Sequence, residues 1–329
     1  MNVHQAGLSR RRFLSSSARA ALFLAGGVSA SVLSACGLDP ADPANRKPGE
    51  IRIGSAMFPE SEIIARIWAL ALKDAGHAVT VVPQIGARDV YLAALAEGSI
   101  DIVPEYSGNL ASYYGEVSKG AKPDEVLATL RKNIPPEFEV VAPAKAESKD
   151  AYRMLRSVAE KHDIRSLADV RQLLGDESSQ STSAKIRIGG APELAQQPYG
   201  PQGLAELYGV PENRIEMVGY GDSGGPLTIR ALADGAVDVA DIYTTTPLRD
   251  TVGAPVDVVT LEDPKQLIPA QNVVALVRKG VLDQSARQTL RSVADRMTTE
   301  DLTAMNLRSS GDEKAGAELI ARDWLGATG

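Results

Sequence analysis

A stretch of sequence that occurs twice sets the strongest limit on how this chain can fold. Residues 94–107 read ALAEGSIDIVPEYS, and residues 231–244 read ALADGAVDVADIYT. Each copy predicts a helix that ends at a glycine, Gly98 or Gly235, because a left-handed cap needs no Cβ. A short β-branched strand follows the glycine in each copy.

The duplication extends upstream and predicts two related α/β lobes. The quartet IRIG occurs at residues 51–54 and again at residues 186–189, and each copy reads as a strand that ends in glycine. Tyr106 and Tyr243 follow equivalent strands in the two copies. Ligands of open α/β sheets bind outside the carboxyl ends of strands. We therefore expect the two tyrosines on opposite walls of one cleft.

The first 36 residues predict an export signal. They contain four arginines and no acid, and the apolar run at 20–33 is too short to span a bilayer comfortably. Residues 9–14 (SRRRFL) resemble a twin-arginine export motif, and residues 33–36 (LSAC) resemble a bacterial lipobox. Cys36 is the single cysteine of the chain. We expect a lipidated Cys36 at the mature N-terminus, extracytoplasmic and anchored to the cell membrane, with 37–50 as a flexible tether.

The net charge of the chain bears on its possible partners. The 329 residues carry 35 basic and 42 acidic side chains, for a net charge of −7. This acidic balance gives no indication of a nucleic-acid partner.

Polar stretches at 143–150 and 244–247 predict two crossings between the lobes. The expected boundaries are 51–150 with 247–329 for lobe 1, and 151–246 for lobe 2.

The ordered set of motifs resembles the quaternary-ammonium substrate-binding proteins of ABC importers, which bind glycine betaine, choline, carnitine and similar solutes. The resemblance is carried by IRIGS at 51–55, EGSIDIVPEYSG at 97–108, LAELYG at 204–209 and MTTEDLTAMN at 297–306. It implies an α/β, two-lobed periplasmic-binding-protein fold of type II, with a hinge of two crossing strands and a discontinuous first lobe. It also implies a monomer without cofactor or enzymatic activity, whose partners are a permease and its ATPase.

The family holds a trimethylammonium group in a box of tyrosines. The matching motifs place Tyr106, Tyr152 and Tyr243 in that box, with the backbone carbonyl of Asp150 facing the cation. A quaternary ammonium has no N–H to donate, so aromatic faces select it at ~0.5–2 kcal/mol per contact. A fourth family tyrosine falls near Ile229, where this chain has none. Tyr220 or Tyr199 would have to compensate.

The residues that would bind a ligand carboxylate are less evident in this chain than those of the tyrosine box. The family places Lys or Gln after the Gly54-Ser55 pair, where this chain has Ala56, and Gln197 stands where a basic residue is common. Arg88, at the start of a helix, could replace this clamp or could be a solvated loop arginine. A ligand without a carboxylate, such as choline, stays open. The resulting set of expected ligand-binding residues is Tyr106, Tyr152, Tyr243, Asp150, Asn109, Ser55, Arg88, Gln197 and Tyr220.

One motif points to another class. Residues 221–226 (GDSGGP) match the nucleophile motif of trypsin-like proteases, and the order His77, Asp101, Ser223 fits their triad. That fold is all-β, whereas strands and helices alternate here, so a secreted serine hydrolase is the remote alternative. The histidines are too dispersed for a metal site. A solute-sensing surface lipoprotein, or a binding protein for another small polar solute, remains an alternative to the transporter subunit.

Overall fold

The computed structural model describes residues 46–175, 184–222 and 224–328. The predicted export signal, Cys36, most of the tether and Ser223 lie outside the described residues. Within these ranges, no helix is both long enough and apolar enough to cross a membrane.

Strands and helices alternate along the described residues. The strands are β1 (Ile51–Gly54), β2 (Val79–Val82), β3 (Ile102–Tyr106), β4 (Phe138–Val141), β5 (Tyr152–Leu155), β6 (Ile186–Gly190), β7 (Ile215–Gly219), β8 (Val239–Asp241), β9 (Val258–Thr260) and β10 (Val273–Arg278). The α-helices are α1 (Pro59–Asp74), α2 (Arg88–Glu97), α3 (Ser107–Tyr114), α4 (Pro123–Asn133), α5 (Arg156–His162), α6 (Pro201–Tyr208), α7 (Pro226–Ala233), α8 (Gln284–Arg296), α9 (Thr299–Ser310) and α10 (Ala317–Thr328).

The strands form two five-stranded mixed sheets with the same topology. The first has the order β2-β1-β3-β10-β4, and the second has the order β7-β6-β8-β5-β9. In each sheet three parallel strands are followed by one antiparallel strand, β10 or β5, which pairs with both of its neighbours. Because β10 joins the strands of residues 51–141, the first sheet is discontinuous in sequence, as the resemblance implies.

An aspartate side chain makes the same hydrogen bond in each copy of the duplicated unit. Asp101 accepts a hydrogen bond from the backbone N–H of Arg52 at 2.9 Å, and Asp238 accepts one from the N–H of Arg187 at 2.8 Å. The aspartate of the repeated motif thus binds the arginine of the IRIG quartet in both copies. Gly98 has φ +81° and Gly235 has φ +67°, which confirms the predicted left-handed helix ends.

Apolar side chains cover both faces of each sheet. In the first sheet, Ile53 and Ala275 face α1 and α8, while Val103 and Leu276 face the layer of α2, α3 and α4. The second sheet likewise has one core on each face. Burial on both faces is typical of α/β sheets, and it leaves the carboxyl ends of the parallel strands as the open edge.

The structure corrects the predicted return to the first lobe at residue 247. The strand β9 pairs antiparallel with β5, so residues 258–260 belong to the second sheet, and the chain enters the first sheet only with β10. A sheet edge such as that of β5 is stabilised by a further strand. The two connections between the sheets run side by side, since Ala144 N–H donates to the carbonyl of Val273 at 2.8 Å and Ser148 N–H donates to that of Gln271 at 3.2 Å.

Candidate ligand-binding cleft

Two adjoining cavities lie where the two sheets face each other. One has a volume of about 450 Å³ and contains most of the aromatic side chains of the cleft, so we call it the aromatic chamber. The other, of about 390 Å³, contains Asp150 and Asp241, and we call it the acidic chamber. Arg88, Asn109 and Tyr243 line both, so the two chambers form one continuous cleft.

The aromatic chamber is built on the end of β3 and the start of α1. Tyr106 is the last residue of β3, and its hydroxyl donates to the Glu60 carboxylate at 2.5 Å. The Asn306 amide donates to the other oxygen of Glu60, also at 2.5 Å. The ring of Phe58 lies 6.1 Å from that of Tyr106, centroid to centroid. Tyr106 is therefore held at its hydroxyl, and its ring orientation is fixed.

Arg88 and Glu105 form a bidentate ion pair in the same chamber. The Arg88 guanidinium donates to the two Glu105 oxygens at 2.8 and 3.1 Å, and Tyr91 donates to the first of them at 2.6 Å. Burial opposes the charge of Arg88, but the hydrogen bonds and charge of Glu105 outweigh it and raise the pKa of Arg88. Arg88 is thus already paired within the protein and not a solvated loop arginine.

The acidic chamber contains a pair of buried carboxyl groups. Asp150 precedes β5 and is 8% exposed, while Asp241 ends β8 and is 7% exposed. The Tyr199 hydroxyl donates to Asp150 at 2.9 Å. Burial raises the pKa of both carboxyls, and the charge of Asp150 raises that of Asp241 further. The two carboxyls also share a side-chain hydrogen bond, and Asp241 Oδ1 has no donor partner among the other described residues.

Tyr243 lies between the two chambers, in the segment that follows β8. The buried guanidinium of Arg153, on β5, donates to the Tyr243 carbonyl at 3.2 Å and to the Thr244 carbonyl at 2.9 Å. Burial lowers the pKa of Arg153 to about 10. Arg153 therefore positions the backbone that carries Tyr243, and the burial of Tyr243 raises the pKa of its hydroxyl.

Six of the predicted residues line the cleft. They are Tyr106, Tyr243, Asp150, Asn109, Arg88 and Gln197. Asn109 makes two hydrogen bonds with the side-chain amide of Gln271: the Asn109 backbone N–H donates to Gln271 Oε1, and Asn109 Oδ1 accepts from Gln271 Nε2, both at 2.8 Å. This pair ties the start of α3 to the connection that leads into β10.

The structure places Tyr152 elsewhere, in the core of the second sheet. Its side chain is 1% exposed and packs in the same cluster as Met154 and Leu204. Its hydroxyl donates to the Tyr199 carbonyl at 2.7 Å. Alternate residues of a strand share a face, so Tyr152 and Met154 both point to the core side of β5. Tyr152 supports the Tyr199 segment and does not form a wall of either chamber.

Ser55 and Tyr220 also differ from the prediction. Ser55 is fully buried, and its hydroxyl accepts from the backbone N–H of Gln84 at 2.9 Å, which fixes the loop between β2 and α2. Tyr220 packs against the apolar cluster around Leu232. Tyr199, the other suggested substitute for the missing ring, does line the acidic chamber.

Several residues of the cleft were not predicted from the sequence. Phe58, Glu60, Tyr91, Glu105 and Asp241 all line it. Two of them carried a signal: Glu105 is the acid of the PEYSG motif, and Asp241 stands where the first copy of the duplication has Pro104. An acid that departs from an otherwise apolar repeat position suggests a functional side chain.

A family model confirms the resemblance. The model described as the substrate binding domain of ABC-type glycine betaine transport systems matches residues 49–327. The chain belongs to this family. The family consists of solute-binding proteins of ABC transporters, which are extracytoplasmic and are not enzymes.

Of the three residues whose order fits a protease triad, Ser223 lies outside the described residues. The Asp101 carboxylate forms ion pairs with Arg46 and Arg278, and His77 Nε2 lies 4.0 Å from Asp283 Oδ1.

Individual relatives agree with this assignment. The glycine-betaine-binding protein of Pseudomonas aeruginosa is 27% identical over 281 residues, covering 84% of this chain and 86% of the relative. The glycine betaine-binding protein YehZ of Escherichia coli is 23% identical over 283 residues, covering 84% and 89%.

Solved structures show the fold. Apo YehZ from Escherichia coli superposes with a TM-score of 0.67 at 24% identity, covering 85% of this chain and 99% of that one. A glycine betaine/carnitine/choline ABC transporter structure gives 0.69 at 19% identity, covering 84% and 98%. Together with the two sheets, these similarities confirm the type II periplasmic-binding-protein fold.

Proposed function

We propose that this chain is the solute-binding lipoprotein of an ABC importer and that it captures a quaternary ammonium compound in the cleft between the two sheets. The observation that carries the proposal is that Tyr106, from the end of β3, and Tyr243, from the segment after β8, line the same chamber. Each sheet contributes one aromatic wall. A ligand that contacts both walls favours the conformation in which they face each other.

The chemistry of the aromatic chamber suits a cation without N–H groups. Phe58 and Tyr91 add to the two tyrosines, and the carboxylate of Glu60 lies beside them, while Glu105 is paired with Arg88 in the same chamber. Aromatic faces and acids both attract a trimethylammonium group, and neither requires a donor from the ligand. The cage we propose therefore consists of Phe58, Tyr91, Tyr106 and Tyr243, and Tyr152 supports the Tyr199 segment of the acidic chamber from the core.

The predicted export and membrane anchoring complete the proposal. A lipid on Cys36 would hold the domain beside its permease, with residues 37–50 as the tether. Mass spectrometry of the membrane-bound protein would test this step, because a free thiol at Cys36 would contradict lipidation. Uptake of labelled ligand by cells with and without the chain separates transport from the alternative of a sensing lipoprotein.

Isothermal titration calorimetry on the mature domain tests the cage. We expect binding of choline, glycine betaine or carnitine, and a loss of ~1–2 kcal/mol, or roughly tenfold in affinity, for Tyr106→Ala and for Tyr243→Ala. The corresponding phenylalanine variants keep the ring face and should lose less.

Tyr113 provides a matched control, because it is a tyrosine of α3 with 51% exposure. Tyr113→Ala should bind the ligand as the wild type does. If Tyr106→Ala and Tyr243→Ala both stay within twofold of wild type, the cage is wrong and the two tyrosines are packing residues. If the domain binds only solutes that lack a quaternary ammonium, the alternative of a different polar solute takes its place.

A further inference from the structure

We propose that Asn306 is a positioning residue that sets the spacing between the two aromatic walls of the cleft. It joins Tyr106, in one wall, to the segment of residues 243–246, which follows β8 and carries Tyr243 in the other wall; we call this the Tyr243 segment. The inference rests on the proposed function, because it concerns how the two walls of the proposed cage are held together. Asn306 ends the MTTEDLTAMN motif of residues 297–306, which supplied no residue to the expected ligand-binding set.

Helix α9 reaches from the core of the first sheet to the Tyr243 segment. Its apolar side chains pack in the first-sheet core, through Leu302 and Met305. On a neighbouring face of the helix, Thr303 Oγ1 lies 3.4 Å from the Thr244 carbonyl oxygen. One turn further along the same face, Asn306 Nδ2 donates to the Thr245 carbonyl at 3.1 Å. A helix of the first lobe therefore contacts the part of the second lobe that carries Tyr243.

The Asn306 amide connects the two aromatic walls through hydrogen bonds. Its nitrogen has two protons and donates to the Glu60 carboxylate at 2.5 Å as well as to the Thr245 carbonyl. Both partners are acceptors, so the nitrogen of the amide and not its oxygen must face them. The other Glu60 oxygen accepts from the Tyr106 hydroxyl. Three hydrogen bonds thus lead from the Tyr106 ring to the backbone two positions after Tyr243.

Burial makes this connection specific in its geometry. Tyr106 is 7% exposed, Glu60 is 6% exposed and Thr245 is 3% exposed. If one wall moved relative to the other, a buried carboxylate or carbonyl oxygen would lose its donor, and water could not easily replace it. The hydrogen bonds of Asn306 therefore favour one separation of the two walls.

The Tyr243 segment is also held from its own lobe. The Arg153 guanidinium donates to the Tyr243 and Thr244 carbonyls from β5. The segment is thus fixed to the second sheet by Arg153 and to the first lobe by Asn306. A ligand that contacts both rings then finds them already at the required spacing, which lowers the free-energy cost of ordering them on binding.

A double-mutant cycle on ligand affinity tests the connection. The variants are Asn306→Ala, Tyr106→Phe and the double variant of the mature domain, each titrated with choline and with glycine betaine. Each single variant cuts the same chain of hydrogen bonds and should weaken binding roughly three- to fivefold. Because either cut suffices, the double variant should also lose only about three- to fivefold, whereas independent effects would multiply to roughly ten- to twenty-fivefold.

Two further variants make the cycle interpretable. Asn213→Ala is the matched control, because Asn213 is an exposed asparagine of the second lobe, and this variant should bind as the wild type does. Asn306→Leu keeps the approximate volume of the side chain and removes both donors, so it takes the place of the alanine variant if that one fails to fold. A general loss of stability, measured by unfolding without ligand, would not make the effect of Asn306→Ala depend on the residue at position 106.

Distances between the lobes give a second readout that needs no ligand. Cys36 is the single cysteine of the chain, so residues 37–329 can carry two spin labels at introduced cysteines. Asp124→Cys in lobe 1 and Glu212→Cys in lobe 2 are suitable, since both positions are exposed. By electron–electron double resonance, Asn306→Ala should broaden the distribution of distances between the labels, and Asn213→Ala should leave it unchanged.

The outcomes separate the role of Asn306 from the cage. Affinity losses that multiply in the double variant, or an Asn306→Ala variant that binds within about twofold of wild type, would overturn the positioning role. If Tyr106→Ala still weakens binding in that case, the proposed function stands without it. If neither quaternary probe binds the wild-type domain, the proposed function fails and the label distances decide: a broader distribution in Asn306→Ala supports the positioning role, and an unchanged one refutes it.

Discussion

Removing the charge of Asp241 should stabilise the empty protein at neutral pH. Asp241 and Asp150 are both buried, and burial raises the pKa of each carboxyl above its usual value. Asp241→Asn keeps the shape of the side chain and removes its ionisation. The substitution therefore eliminates the free-energy cost that the folded state bears when the pair loses its proton.

The sign and size of the effect follow from proton linkage. Between the usual aspartate pKa, ~4, and the raised value, the unfolded chain has released a proton that the folded chain still holds. The free energy of unfolding of the wild type then falls as the pH rises, by up to ~1.4 kcal/mol per pH unit for one proton. The advantage of Asp241→Asn over wild type should be smallest near pH 4 and should grow to neutrality. For a domain of this size each kcal/mol shifts the melting temperature by ~2–4 °C.

Urea unfolding of the ligand-free mature domain at a series of pH values measures this directly. The quantity of interest is the difference in unfolding free energy between variant and wild type, because contributions from carboxyls that do not interact with Asp241 cancel in it. Asp257→Asn is the control for the loss of a carboxyl from a site that is 72% exposed. A difference that does not increase between pH 5 and pH 7, or a variant less stable than wild type at pH 7, would refute the reasoning.

Three further predictions test the arrangement around the cleft. Tyr152→Ala should lower the unfolding free energy by ~3–5 kcal/mol because it leaves a cavity in the core. Tyr152→Phe should keep the ligand affinity within about twofold of wild type. A tenfold loss of affinity in Tyr152→Phe would show that Tyr152 belongs to the cage. Lys119→Ala breaks the ion pair with Glu206 across the cleft. The variant should bind the ligand roughly two- to fourfold more weakly at low salt but not at high salt. A loss of affinity that does not depend on salt would contradict a role of this ion pair in binding. A Cβ at Gly108 would lie 2.5 Å from the Ala270 carbonyl oxygen. Gly108→Ala should therefore lower the unfolding free energy by ~1–3 kcal/mol and weaken ligand binding. A variant with the stability and affinity of wild type would contradict close packing at Gly108.

Much of the fold could be predicted because its signals are local. Proline and acids at the start of α1, left-handed glycines after helices and β-branched runs act over a few neighbouring residues. The duplicated motif added a longer signal, and it found equivalent strands in both sheets. Two elements at the cleft were missed: α3, whose SGNLASYY sequence opens without a side-chain cap, and β5, which is four residues long and becomes a strand by pairing with β8 and β9.

The candidate site could be predicted only in part, for a related reason. Motif spacing found Tyr106, Tyr243 and Asp150, since each stands beside the end or start of a strand. It could not tell that Tyr152 faces the core, because the direction of a strand side chain depends on which face is covered. Nor could it show that Arg88 is neutralised by Glu105.

Two related α/β units and tyrosines at equivalent strand ends could be predicted from the sequence, since these follow from interactions between residues that are close along the chain. The membership of β9 in the second sheet, and the shared chamber of Asp150 and Asp241, 91 positions apart in the sequence, became evident only in the folded structure. Burial and charge pairing act between residues that folding brings together, so the raised pKa values of that pair arise only when the chain has folded.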